Sequence, residues 1–151
     1  MKKYLVILLI FISCNVRYTK IVAVHDGDTV TTATGEKIRL SFIDAPEIGQ
    51  PYGIEARNFV SSLILNREVK IITHGTDKYG RTIGEIYLGK LFINEAEINS
   101  GLCWVYSQYS PEKYYREELA AKSKRIGLWA SNEQIPPFLY RKQTNFIHHL
   151  K

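Results

Sequence analysis

The chain has 151 residues, 45% hydrophobic and 23% charged, which suits one domain with a sizeable core, leaves no room for a second and argues against global disorder. Its formal net charge of +5 tilts the reading toward an anionic partner, although a basic surface also serves solubility alone. Two cysteines, Cys14 and Cys103, exclude a disulfide framework, and the four histidines, His25, His74, His148 and His149, lack zinc spacing.

Met1-Lys2-Lys3 leads into an apolar run over 4–12 and then Ser13-Cys14-Asn15. These are the basic, apolar and small-residue zones of a signal peptide over 1–13, too short for the roughly 20 apolar residues of a spanning helix. Ser13-Cys14 is similar to a bacterial lipoprotein processing site, with Phe11 where that motif usually carries leucine. Lipidation at Cys14 would tether the domain to the envelope; an ordinary signal would release it. Either reading places the protein outside the cytoplasm.

β-branched residues cut by Asp26-Gly27 and Thr34-Gly35 predict strands near 19–25, 28–33 and 36–43. The period then changes. Ala56, Phe59, Val60, Leu63 and Ile64 share one face of a helix over 51–66. Val69, Ile71 and Thr73 mark a fourth strand and 82–88 a fifth, with Asp77-Lys78-Tyr79-Gly80-Arg81 in the loop between. Asn94 with Glu97 three residues on reads as a capping box for a short helix ending by Gly101. Cys103, in Leu102-Cys103-Trp104-Val105, reads as a buried, inert thiol.

Ser110-Pro111-Glu112 starts a third helix with Tyr115, Leu119, Ile126 and Trp129 as its apolar stripe. The pair Pro136-Pro137, followed by Phe138 and Tyr140, predicts an extended strap over 131–142. The domain so outlined covers 18–142, followed by a tail over 143–151. Five short strands with about three helices give a mainly β, α+β chain whose simplest architecture is a closed five-stranded barrel of OB-fold type.

Three segments carry chemistry: Asp26-Gly27-Asp28-Thr29, residues 39–47 (RLSFIDAPE), and Asp77-Lys78-Tyr79-Gly80-Arg81. Taken singly they are a turn carboxylate, a strand exit and a turn. Phosphodiester hydrolysis needs an attacking water, a positive centre for the non-bridging oxygens and donors that hold phosphorus in line. Short carboxylates, a glutamate behind a proline and two forked guanidinium groups supply all three. One spacing needs explanation: Arg39 and Asp44 would point to opposite faces of a straight strand, so a bend must lie between them.

In this order the three motifs resemble the staphylococcal nuclease (thermonuclease) family over 18–129, and the Pro-Pro-aromatic tail resembles its bacterial members. The resemblance implies a calcium ion on Asp28, Asp44 and the main-chain carbonyl of Ala45, where the family usually has threonine. It implies Glu47 as general base or water-orienting group, Arg39 and Arg81 as phosphate-binding arginines, and Lys78, Tyr79 and Tyr109 on the substrate side. The resemblance also implies a second stacking aromatic next to Tyr109, where this chain departs from the family with Tyr106, Ser107 and Gln108. The activity implied is calcium-dependent hydrolysis of DNA and RNA with little sequence preference, leaving 3'-phosphate ends, by a monomer. The alternatives are a non-catalytic OB-fold nucleic-acid-binding module and an envelope interaction platform tethered through Cys14. If Cys14 carries lipid, Cys14→Ser should shift the protein from the membrane fraction to soluble fluid on cell fractionation; an unchanged distribution would favour an ordinary signal or an unprocessed apolar tail.

Overall fold

Alternating β-branched residues and well-placed turns dictate a strand meander, and the computed structural model describes it over residues 15–106, 110–132 and 134–149. The segment 1–13, Cys14 and Tyr109 lie outside the described residues. In chain order the elements are β1 (Val16–Val24), β2 (Thr29–Thr32), β3 (Lys37–Leu40), β4 (Ile43–Asp44), α1 (Gly53–Ile64), β5 (Glu68–Thr76) and β6 (Thr82–Leu88). There follow β7 (Leu91–Phe92), α2 (Ile93–Asn99), β8 (Trp104–Val105), α3 (Glu112–Ser123), a 3-10 turn (Gly127–Ala130) and α4 (Pro137–His149).

The strands pair antiparallel in the order β3-β2-β1-β5-β6, and a parallel seam between β3 and β6 closes them into a five-stranded barrel. Closure needs strongly bent strands, and irregularities between Ile21 and Ala23 and between Thr73 and Gly75 provide the bends. At the seam Leu40 faces Gly84. A Cβ on Gly84 would sit 3.1 Å from Ile71 Cγ2 and 3.2 Å from the Ile72 carbonyl, a tight fit, so glycine here eases the close approach of β6 to β5. This is the OB-type barrel expected of the sequence.

Ile21, Val30, Ile38, Leu40, Val69, Ile71 and Ile86 fill the interior with almost no exposed surface, each such side chain stabilising the fold by about 1.5–3 kcal/mol. Helix α1 lays Ala56, Val60 and Ile64 on this core, with Phe59 and Leu63 partly covered at its margin. That is the face its sequence period predicts.

Three expectations need correction. Asn94 does not cap α2: the helix starts after Phe92, and Asn94 is wholly buried inside it. Its Oδ1 accepts the Ile86 N–H at 3.2 Å and its Nδ2 donates to the Ser41 carbonyl at 2.9 Å, so the side chain pins the helix to the barrel seam. Helix α3 buries Tyr114, Glu118 and Ala121, whereas Leu119 is 65% exposed. The reason is polar: Glu118 Oε1 takes the N–H of Val105 at 3.0 Å, which turns that face inward. Finally, part of the strap over 131–142 is helical. Pro137 is the first residue of α4, where a missing N–H costs nothing and a fixed φ helps, and the N–H groups of Leu139 and Tyr140 bond to the Pro136 carbonyl.

Because Asn94 satisfies two buried main-chain groups, Asn94→Ala should lower unfolding free energy by about 2–4 kcal/mol in denaturant titration. A loss below about 1 kcal/mol would show that the seam does not depend on it.

Candidate active site

The site forms where the first hairpin, the turn after β3 and the loop before β6 meet, in a cleft of about 680 Å³. The β2–β3 hairpin sets Thr29 opposite Arg39, which brings Asp28 and Arg39 together. Phe42 then adopts φ 67°, a left-handed turn that breaks the strand between Leu40 and Ile43. This is the bend that the Arg39–Asp44 spacing demands. It aims the Leu40 and Ile43 carbonyls at Arg39 Nη1, each at 2.8 Å.

Arg39 Nη2 is thereby 3.0 Å from both Asp28 Oδ2 and Asp44 Oδ1. Asp28 Oδ2 also accepts the N–H of Ala45 at 2.7 Å, and its Oδ1 accepts the Thr29 hydroxyl at 3.0 Å. Both aspartates are buried, and two negative charges held this close repel. Burial raises the Asp44 carboxyl above its usual range, with the Asp28 charge adding to the effect. Asp26, whose Oδ1 accepts the Asp28 N–H at 3.0 Å, is pushed up to about 7, mainly by burial and then by Asp28. Carboxylates so crowded and so short suit a hard cation with oxygen ligands. Among the described residues no three metal-binding side chains converge, so a cation here would rest on Asp28 and Asp44 and take main-chain oxygen and water for the rest.

Glu47 lines the same cleft at the start of the loop that leads to α1. Its N–H donates to Gln50 Oε1 at 2.9 Å, and Gln50 Nε2 reaches the Ile135 carbonyl at 3.0 Å, tying this loop to the C-terminal segment. Gly53 is forced by the same fold: a Cβ there would lie 2.0 Å from the Glu47 carbonyl oxygen.

Asp77 builds the third wall. Its Oδ1 accepts the N–H groups of Tyr79 at 2.9 Å and Arg81 at 3.0 Å, while its Oδ2 takes Arg81 Nε at 2.7 Å. These bonds outweigh partial desolvation and hold the Asp77 carboxyl below its usual range. Arg81 Nη1 points to Thr29 Oγ1 at 3.4 Å, so the guanidinium faces the aspartate pair. Tyr79 is 72% exposed, with Lys78 Nζ 5.0 Å and Arg81 Cζ 5.6 Å from its ring centre. Asp28, Arg39, Asp44, Glu47, Lys78, Tyr79 and Arg81 thus share one cleft, and Ala45 adjoins it through its N–H.

Two participants escape a reading of the sequence. Arg141, on α4, places Nη1 2.8 Å from Glu47 Oε1 and Nη2 3.1 Å from Asp44 Oδ2. A first-turn proline at 137 is the helix signal that would have brought it near. Beneath the turn lies Glu97, fully buried, with no hydrogen-bond partner on either carboxyl oxygen. A Cβ on Gly27 would meet its Oε1 at 2.4 Å, so the acid supports the backbone between Asp26 and Asp28.

Comparison with known proteins gives one consistent result. The family described as staphylococcal nuclease homologue matches residues 37–131. The chain is 37% identical over 129 residues to an uncharacterized endonuclease of Haemophilus influenzae, covering 82% of this chain and 72% of that one. It is 31% identical over 150 residues to an uncharacterized endonuclease of Escherichia coli O157:H7, covering 93% and 98%. The staphylococcal-like nuclease CAN1 of Arabidopsis thaliana is 39% identical over 111 residues, 70% of this chain; the match spans only 33% of that longer protein.

Burial pushes the Glu97 carboxyl well above its ordinary 4.5, with the charges of Asp28 and Asp26 adding to it. The folded chain therefore keeps a proton that the unfolded chain releases, and stability falls as pH climbs above about 4.5. Glu97→Gln removes that release, so it should raise Tm at neutral pH by at least about 2 °C and flatten the decline of Tm between pH 5 and 8. A variant no more stable than wild type at pH 7 would contradict this.

Proposed function

Because this chain belongs to the staphylococcal nuclease homologue family, we propose that it is a calcium-dependent nuclease that hydrolyses phosphodiester bonds in DNA and RNA with little sequence preference, leaving 3'-phosphate ends. The observation that carries the reading is the cleft itself: Asp28, Arg39, Asp44, Glu47 and Arg81, drawn from three separate segments, converge in it. Related proteins named as endonucleases and nucleases support it.

Calcium held by Asp28 and Asp44 would supply positive charge to a non-bridging phosphate oxygen. The remaining work falls to side chains. Arg39 and Arg81 offer planar, permanently charged forks to the phosphate, donors that lysine cannot match in geometry. Glu47 orients a water opposite the scissile bond and accepts its proton as the water oxygen attacks phosphorus; the bond from phosphorus to the 5'-oxygen breaks, and that oxygen takes a proton from solvent. An ordinary carboxylate is a weak base at neutral pH, so holding the water in line is the larger share of the effect of Glu47. Lys78 and Tyr79, at the mouth of the cleft, suit the flanking phosphate and base, and aromatic stacking carries little sequence preference.

The signal-like residues 1–13 and Cys14 support an extracytoplasmic setting, free or lipid-anchored, where calcium is abundant enough for a site with two carboxylates. A domain of this size with a closed barrel needs no partner, and we take it as a monomer.

Digestion of denatured DNA should require added calcium and stop in EGTA. Glu47→Gln should cut turnover by on the order of 10² to 10⁴ with folding preserved. Arg81→Lys should lower turnover more than nucleotide binding, because its second donor serves charge that grows in the transition state. Folded variants with wild-type rates, or undiminished digestion in chelator, would favour the binding-module reading or another centre.

A further inference from the structure

Helix α4 inserts a guanidinium where a cation would go. Asp44 Oδ1 receives Arg39 Nη2 at 3.0 Å and both terminal nitrogens of Arg141 at 3.3 Å, while Oδ2 receives Arg141 Nη2 at 3.1 Å. Glu47 Oε1 receives Arg141 Nη1 at 2.8 Å. Both oxygens of Asp44 therefore already accept N–H groups of guanidinium cations, and a divalent ion approaching either one meets positive charge. The two arginines are held unequally. Arg39 has a side chain only 16% exposed and is fixed by two carbonyls, Leu40 and Ile43, at 2.8 Å. Arg141 has a side chain 42% exposed, and its guanidinium rests on the carboxylates of Asp44 and Glu47.

The helix that bears Arg141 leaves most of its described large apolar side chains exposed. Among its described side chains Pro137 is buried and Tyr140 half-buried, whereas Phe138 and Phe146 are 47% and 67% exposed and Leu139 is also exposed. Gln50 bonds the segment ahead of it through the Ile135 carbonyl, the Tyr140 hydroxyl lies over Gly49, and Arg141 supplies the ionic contacts.

From this geometry we infer that Arg141 is a built-in counter-cation of the carboxylate pair: it holds Asp44 and Glu47 in the cation-free protein and gives way when a divalent ion binds at Asp28 and Asp44, loosening α4. The inference rests on the calcium reading above. Coupling of this kind is reciprocal, so whatever weakens the Arg141 contact strengthens cation binding, and cation binding weakens the docking of α4 by the same factor.

Calorimetric titration of the full chain with calcium, without substrate, tests it. Arg141→Gln should bind calcium about tenfold more tightly than wild type, and Arg141→Lys, which keeps the charge without the fork, should fall between. In wild type, where no substitution is needed, calcium should speed amide exchange in residues 137–149 severalfold; in Arg141→Gln that segment should exchange fast with or without calcium. Unchanged or weaker affinity in Arg141→Gln, or exchange in wild-type α4 that calcium leaves unaltered, would overturn the counter-cation role and leave the calcium reading standing. No heat of binding by wild type at millimolar calcium would instead remove the calcium reading, and this inference with it.

Discussion

One guanidinium organises the site. Arg39 binds two carbonyls of its own turn and two carboxylates from different segments, so the left-handed turn at Phe42, the hairpin carrying Asp28 and the short strand carrying Asp44 are fastened at a single point. Arginine alone among the side chains has enough donors, fixed in a plane, to do this. With Arg39 in place the repulsion between Asp28 and Asp44 becomes tolerable; without it Asp44 would keep Arg141, but the guanidinium that bridges the two carboxylates would be lost.

The same site shows a division of labour between local and distant support. The loop from Asp77 to Arg81 is assembled by one carboxylate that collects two N–H groups and a guanidinium within five consecutive residues. The carboxylate of Glu47 has no such local frame. Its main chain is set by Gln50, and its carboxylate is held from the far end of the chain by Arg141. The phosphate-facing wall is therefore rigid by design of its own turn, whereas the placement of Glu47 follows the docking of a remote helix.

Short-range signals made most of this legible in the sequence. Strand alternation, glycine turns and the period of α1 are local properties, and they gave the barrel and the inward faces of its strands. The motif residues Asp28, Arg39, Asp44, Glu47 and Arg81 were singled out through the family resemblance their three segments carry, and the structure brings them to one cleft. What escaped was set by tertiary demand. Asn94 looks like a cap, yet the unpaired groups of Ile86 and Ser41 claim it. Glu118 lies outside the apolar stripe expected of α3, yet Val105 needs an acceptor. Arg141 sits 97 residues from Asp44 in sequence, beyond the reach of spacing arguments, and the proline pair before it reads as a breaker although it starts a helix. Glu97 breaks the rule that buried acids are paired, and no pattern along a chain announces such a violation.

The parallel seam has a kinetic meaning. Asp28 and Arg39 belong to the first hairpins, but Arg81 arrives beside Thr29 only when β3 meets β6, joining residues such as Ile38 and Thr82 that are far apart along the chain. Contacts of that span form late, because the closure entropy of the intervening chain must be overcome first. The cleft therefore has no partial version: a chain with every hairpin formed but the barrel open has its carboxylates and its second arginine on separate edges. Whatever chemistry the cleft performs needs the closed barrel, and a chain with the seam open lacks the assembled site.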